Sequence, residues 1–245
     1  MSAFDENYFR TGTYARVSFG RFSQYWWSNR FYAILARRYG RRGGDLLEVG
    51  CGLGHLVAQL AATFRTSAVD VNRHALGEAR AVAPRTGLHA AAAERLPFAA
   101  ASFDVVIIKH IIEHLPVPAL AVAELGRVLR PNGTLIFSTP NLGSLLRPLK
   151  GKRWIGYQDP THVSLKPPDE WLAMLRDVAR VSIVRAFADG FWDVPYISVV
   201  PAALQKVVFG SLGGLQAISG FVFLPQKWGE SIIIVARKRS EESIG

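Results

Sequence analysis

The sequence predicts an α/β protein with a mostly parallel sheet covered by helices on both faces. Three observations carry this. Short, near-continuous apolar runs alternate with stretches of helical periodicity, the pattern of strands buried on both sides. A Gly50-x-Gly52-x-Gly54 turn joins the first apolar run to the first following helix, and Asp70 closes the second run. The 245 residues, 49% hydrophobic and 20% charged, suffice for one sizeable core. One domain over 1–245 is therefore expected: a basic, aromatic helix region at 1–43, a core at 44–142 and a second half at 143–238.

Residues 1–20 read as an irregular lead-in. A helix is predicted at 21–39, with Phe22, Tyr25, Trp26 and Ala33 at near-helical spacing and Trp27, Phe31 and Ile34 alongside. Arg41-Arg42-Gly43-Gly44 ends it. Strand 1 is expected at 45–49, its helix at 54–64, strand 2 at 66–70 and a helix at 73–82. Residues 84–87 break the pattern. Strand 3 follows at 88–92, strand 4 at 104–109, a helix at 117–129 and strand 5 at 133–138. A helix at 168–179 precedes a strand at 181–187, the last strand is 231–237, and 239–245 read as a frayed tail.

The stretch 188–230 is unusual. Between 194 and 225 its only formal charge is Lys206. A membrane span would fit the length, but Pro195, Pro201, Gly210, Gly213, Gly214 and Gly220 punctuate the run. Lys206 would lie near the bilayer centre. A single crossing would also separate strand 231–237 from its sheet. A helical flap over the site is the expectation. Its apolar face would line an acceptor pocket, rest on a membrane or form a dimer contact, and the sequence leaves these open.

The formal net charge is +10. Such an excess favours an anionic partner, whether nucleic acid, the lipid headgroups of an anionic membrane surface or an acidic substrate, or reflects a solvated basic surface. It is concentrated early: Arg10, Arg16, Arg21, Arg30, Arg37, Arg38, Arg41 and Arg42 face only Asp5 and Glu6. The single cysteine, Cys51, allows no internal disulfide, and the acidic start has no secretory pattern, so a cytoplasmic location is expected.

The turn itself is chemically specific. Gly50, Gly52 and Gly54 are spaced by two, and His55 stands where a dinucleotide fingerprint has its third glycine. Glu48 precedes the turn, where a carboxylate would repel a pyrophosphate but suits a cationic ligand. Asp70, at the tip of strand 2, is placed to accept two hydrogen bonds from a ribose diol.

Glu48-Val-Gly-Cys-Gly-x-Gly resembles motif I of the class I S-adenosylmethionine-dependent methyltransferases. Later segments match in order: Val69-Asp70-Val71-Asn72, Ala93-Glu94-Arg95-Leu96-Pro97-Phe98, Ser102-Phe103-Asp104-Val105-Val106, His110-Ile-Ile-Glu113-His114-Leu115, and Leu129-Arg130-Pro131-Asn132-Gly133-Thr134-Leu135 with Asn132 where glycine is usual. The match covers roughly 44–142. The tract Asp159-Pro160-Thr161-His162-Val163 is similar to one in the small-molecule subgroup that includes quinone O-methyltransferases. The resemblance implies a Rossmann-like sheet in the order 3-2-1-4-5-7-6 with strand 7 antiparallel. It also implies S-adenosyl-L-methionine as cofactor and S-adenosyl-L-homocysteine as product.

On that basis Glu48, Gly50, Cys51, Gly52 and Gly54 surround the amino-acid end of the cofactor, with Lys109 and His110 beside it. Asp70 holds the ribose, Val71 and Asn72 approach the adenine, and Ala93 and Glu94 meet its edge. A hydroxyl acceptor must lose a proton, for which histidine is suited, so His162 and His110 are the candidate general bases. His114 is expected to order its loop, Glu113 to be a hydrogen-bond partner, and Asp159 is a candidate substrate contact. No metal pattern is visible.

The expected activity is methyl transfer to a small molecule, a hydroxyl of an apolar or lipid-linked compound, with a homodimer as one possible assembly. The alternatives are an RNA-modifying methyltransferase or a non-catalytic assembly factor on the same fold. Against the RNA reading, strand 4 ends in Lys109-His110-Ile111-Ile112 rather than the N/D-P-P-Y/F segment of enzymes methylating base amines.

Overall fold

The computed structural model describes residues 17–240. Arg10, Arg16, Asp5 and Glu6, most of the expected lead-in and most of the expected tail lie outside the described residues. Seven strands form one sheet, β1 (Asp45–Val49), β2 (Arg65–Asp70), β3 (Gly87–Ala90), β4 (Phe103–Lys109), β5 (Leu129–Pro140), β6 (Val181–Ala188) and β7 (Ser231–Lys238). Their order is β3-β2-β1-β4-β5-β7-β6. Strands β3 to β5 pair in parallel, and β7 runs antiparallel to both β5 and β6. Order and directions are those expected.

The helices are α1 (Gln24–Tyr39), α2 (His55–Leu60), α3 (Arg73–Val82), α4 (Pro118–Val128), the single turns α5 (Arg147–Lys150) and α6 (Ile155–Gln158), α7 (Pro168–Asp177) and α8 (Ala202–Ser219). Helix α1 starts three residues later than expected because Ser23 caps it, its hydroxyl accepting from the Trp26 amide (3.1 Å). Helix α2 ends four residues early, at Leu60, where the chain tightens into turns before β2.

Strand alternation explains the continuous apolar runs. Leu46, Val105, Ile107, Ile136, Ile233 and Val235 point to one face, against Phe31, Leu35 and Ala36 of α1 and Leu56 and Leu60 of α2. Leu47, Val49, Val106, Ile108, Leu135, Phe137 and Ile234 point to the other, against Val122 and Leu125 of α4 and Trp171 and Leu175 of α7. Each such buried side chain contributes about 1.5–3 kcal/mol relative to exposure.

Helix α8 lies on the α1 side, where Ala217 and Val222 join the core. The loop before it is tied to the sheet by Glu230, whose carboxylate accepts from Tyr196 Oη and Trp154 Nε1. Lys150 Nζ donates to Asp193 Oδ1 (3.0 Å) and to the Asp193 carbonyl (2.6 Å). Among the described residues, no helix is long and apolar enough to cross a membrane.

Strand β5 begins four residues before the expected start, because Leu129 already pairs with Phe103 before a register shift. Within that irregularity Asn132 has φ +62°, a conformation that asparagine tolerates better than other side-chain-bearing residues. We expect Asn132→Val to lower stability by roughly 1–2 kcal/mol and Asn132→Gly to change it by less than about 0.5 kcal/mol, measured by urea unfolding.

Candidate functional site

The carboxyl ends of β1, β2 and β4 open into a cavity of about 290 Å³. Its wall includes Glu48, Gly50, Cys51, Gly52, Asp70, Val71, Asn72, Ala93, Glu94, Lys109 and His110. Of the expected cofactor residues, Gly54 is the exception. It caps α2 in the left-handed conformation, φ +78°, and a Cβ there would sit 3.0 Å from that of Ala79. Its role is to let α2 and α3 approach, and that close packing takes it off the cavity wall.

Gly50 needs to be glycine for two reasons. Its φ is +75°, and a Cβ would lie 2.2 Å from Ile111 Cγ1. The Gly50 and Cys51 amides both donate to the Val69 carbonyl (2.8 and 3.1 Å), which ties the turn to β2. Asp70 completes the tie. Its Oδ2 accepts from the Gly52 amide (2.7 Å) and its Oδ1 from the Asn72 amide (2.8 Å). Each carboxylate oxygen retains acceptor capacity for a ligand, so Asp70 both shapes the turn and offers acceptors. Burial raises its pKa, against the effect of those backbone donors. Asn72 caps α3 by accepting from the His74 and Ala75 amides (both 3.0 Å).

Glu48 is 4% exposed, and its Oε2 has no hydrogen-bond partner among the described residues. Burial drives its pKa up, and the Lys109 charge opposes that. Burial drives Lys109 down in turn, with Glu48 opposing. Lys109 Nζ donates to Asn29 Oδ1 (2.7 Å) and stands over the Tyr25 and Tyr32 rings, 5.2 and 4.9 Å from their centroids. Asn29 Nδ2, buried and lining the same cavity, likewise has no partner among the described residues. The α1 residues Ser28 and Asn29 join this wall without having been expected there, and Tyr25, expected only on the helix's aromatic face, borders it too. The available signal was a Ser-Asn pair inside an otherwise aromatic helix.

A second cavity adjoins the first. His110, His114 and Ser28 line both, and Gln24, Glu113, Asp159, His162, Asp189, Trp192, Asp193 and Glu230 are among the other residues of the second. His110 follows β4 with φ +53°, a strained backbone for a residue with a Cβ. Its Nδ1 lies 3.2 Å from Glu113 Oε1, so the ring donates there and Nε2 is its basic nitrogen. Burial alone would raise Glu113, but the His110 bond and the His110 and His114 charges outweigh it and hold the carboxyl below its usual range.

His162 donates from Nδ1 to the Gly156 carbonyl (2.7 Å), leaving Nε2 basic. His114 Nδ1 bonds Thr161 Oγ1 (2.8 Å), and Thr161 in turn donates to Asp159. Burial lowers the His114 pKa. His114 thus orders the 159–162 loop. Thr161, the link between them, was not singled out in the sequence.

Folding also brings Glu113, His114 and His162 together, with one potential ligand atom of each within 4.8 Å of the others. Separated by almost fifty residues, they form no sequence pattern. The flap differs from expectation. Helix α8 lines neither cavity, and the insertion reaches the second only through Asp189, Trp192, Asp193 and Glu230. The reason is packing, because α8 is held on the outer side by α1 and the loop backbone.

A methyltransferase-domain family model matches residues 47–137. The chain is 38% identical over 122 residues to a probable S-adenosylmethionine-dependent methyltransferase of Mycolicibacterium smegmatis, covering 48% of this chain and 46% of that one. It is 36% identical over 111 residues to a ubiquinone biosynthesis O-methyltransferase of Aromatoleum aromaticum, covering 43% and 47%. These matches span a little under half the length of those relatives. The fold is also that of a solved S-adenosylmethionine-dependent methyltransferase from Methanosarcina mazei (TM-score 0.59, 18% identity, 84% of this chain and 98% of that one). Strand order, the acid-preceded glycine turn and the matched region agree: residues 47–137 match a methyltransferase domain, and this part of the chain is similar to S-adenosylmethionine-dependent methyltransferases.

Proposed function

We propose that this protein transfers a methyl group from S-adenosylmethionine to a hydroxyl of a small-molecule acceptor. The observation that carries this reading is His110, a Glu113-backed imidazole on the wall shared by the two cavities. The O-methyltransferase name of the Aromatoleum relative supports oxygen as acceptor.

The first cavity fits the cofactor's chemistry. It has buried, unpartnered polar atoms, Glu48 Oε2 and Asn29 Nδ2, at one place and Asp70 at another. Its one lysine is engaged by Asn29 and two rings rather than offered to a phosphate. Such a donor and acceptor set suits a cationic, phosphate-free nucleoside. Glu48 and Asn29 would hold the amino-acid end, with Gly50, Cys51, Gly52, Lys109 and His110 around it. Asp70 would accept from the ribose, while Val71, Asn72, Ala93 and Glu94 would bound the adenine. When bound, the cofactor supplies a methyl on a sulfonium, an excellent leaving group.

The protein's own work is alignment, exclusion of water and proton removal. In this reading His110 Nε2 takes the acceptor's proton, Glu113 orients the ring and stabilises the imidazolium, and His162 Nε2 hydrogen-bonds the acceptor from the wall of the second cavity. Asp159, through Thr161 and His114, holds that wall in position. The histidines and carboxylates of the second cavity suit the reacting, hydrogen-bonding end of the acceptor, and an apolar or lipid-linked remainder would extend from it.

A second reading rests on the Glu113, His114 and His162 trio, in which a divalent cation would polarise the acceptor hydroxyl.

Asp70→Ala should weaken S-adenosylmethionine binding at least about tenfold, or roughly 1.4 kcal/mol. Titration calorimetry checks this, with Asp70→Asn, which keeps one of the two backbone hydrogen bonds, as the milder variant. Unchanged affinity in both would remove Asp70 from the site. His110→Ala should lower kcat by about 10²–10⁴-fold, a loss larger than any change in cofactor affinity, and exhaustive EDTA treatment should leave wild-type kcat unchanged. A threefold loss or less in the variant would contradict the base assignment. Activity lost to EDTA and restored by a divalent cation would favour the second reading.

A further inference from the structure

Helix α8 is built inside out. Its buried positions are Gln205, Gly213, Gln216 and Ala217. Both glutamines are fully engaged with loop backbone. Gln205 Oε1 accepts from the Tyr196 and Ile197 amides (2.7 and 3.1 Å), and its Nε2 donates to the Ile197 and Val200 carbonyls (2.7 Å each). Gln216 Nε2 donates to the Ala188 and Asp189 carbonyls (2.8 and 3.2 Å), and its Oε1 accepts from the Phe223 and Leu224 amides (3.0 and 3.1 Å). The opposite side carries Leu204, Val207, Val208, Leu212, Leu215 and Ile218, each 40–68% exposed. Phe221 and Phe223 continue this surface at 66% and 43% exposure. A helix at a water interface has the reverse arrangement, apolar residues inward and polar ones outward. Six exposed aliphatic side chains on one helix imply a nonaqueous environment for that face.

The charges around it select the environment. Lys206 and Lys227 are the only formal charges between 194 and 229, and that stretch has no acid. Two arginines stand at the helix's C-terminal end. Arg38 donates to the Gly220 carbonyl (2.7 Å) with its guanidinium 5.5 Å from the Phe221 ring centroid, and Arg185 donates to the Val222 carbonyl (2.7 Å). A two-fold contact between copies through this face would oppose basic groups with no acid to pair them. An anionic bilayer matches both the aliphatic face and its basic border.

We propose that α8 lies in the plane of an anionic membrane surface, its Leu204, Val207, Val208, Leu212, Leu215 and Ile218 face in the interfacial region. This goes beyond methyl transfer and does not depend on it. At about 27 Å, 18 residues at 1.5 Å each, the helix lies along the surface without crossing it.

Vesicle flotation of the full chain tests this, with phosphatidylcholine vesicles made with or without phosphatidylglycerol. Wild type should float with the anionic vesicles, less so as salt is raised, and stay unbound with the neutral ones. The double substitution Val207→Asp, Leu215→Asp should reduce partitioning by at least about tenfold, while S-adenosylhomocysteine affinity stays unchanged as the folding control. If that variant does not fold, the pair Lys206→Glu, Lys227→Glu should weaken flotation on its own. Equal flotation of wild type and variants would overturn the proposal, as would absence of flotation. A lipid-free dimer that the double substitution dissociates, with no vesicle binding, would assign the face to a second copy of the chain instead.

Discussion

A carboxylate buried at the end of β1 is the constraint on which the site depends. Glu48 is one residue from the carboxyl end of β1, where desolvation disfavours its charge. Lys109, at the end of the neighbouring β4, is buried beside it and destabilised in the opposite sense. Neither charge is comfortable without the other. Asn29 from α1 then accepts from Lys109, so three elements converge on one polar spot inside an otherwise apolar sheet edge. One oxygen of Glu48 and the amide nitrogen of Asn29 stay unpartnered among the described residues. A fold retains such an arrangement at a cost in stability, and a ligand that brings an ammonium to Glu48 Oε2 and a carboxylate to Asn29 Nδ2 offsets that cost.

The remaining features serve the same geometry. The glycine turn passes so close to Ile111 that no side chain fits at Gly50, and the backbone itself becomes the cavity floor. Asp70 fixes the turn through the Gly52 amide and caps the route into α3 through the Asn72 amide, which couples the two strand ends that bound the cavity. At the far end of the same strands, Arg130 bridges Asp45 and Asp104, and Arg65 pairs with Asp45. Those exposed pairs contribute little to stability, but they join β1, β2, β4 and β5 at the edge opposite the site. The strained φ of His110 is the third consequence. The chain must leave β4 sharply to put one imidazole on the wall of both cavities, and the His110–Ser138 backbone bond (3.1 Å) holds it there.

Strand positions, sheet order and most of the first cavity were legible because they arise from local signals. Alternating apolar residues write each strand on two faces at once, and glycines and acids at fixed offsets write the turn. Gly54 stands off the wall of the first cavity because it spaces two helices, a task that its position in the motif does not reveal. Asn29 and Ser28 were invisible because nothing in a helix's own periodicity says which pocket it will border. The His114–Thr161–Asp159 chain and the Glu113, His114 and His162 trio join segments nearly fifty residues apart, a relation that folding alone creates. The flap was legible as helical but not in orientation. Its glutamines satisfy loop carbonyls and amides, which reverses the usual inference from polarity to exposure.

The central claim is that the cavity selects a cationic, phosphate-free nucleoside through Glu48 and Asp70. Titration calorimetry of the ligand-free protein with S-adenosylmethionine, S-adenosylhomocysteine and NAD, each in two buffers of different ionisation enthalpy, tests it most directly. Because burial raises the pKa of the free Glu48 carboxyl, binding a cation should expel a proton, and affinity should rise as pH increases from 6 to about 7, where the ligand's own amine is still largely charged. The account predicts roughly micromolar binding of both adenosyl sulfur compounds with proton release that Glu48→Gln abolishes, and no binding of NAD. Comparable affinity for NAD, or proton release that is unchanged in Glu48→Gln, would contradict it.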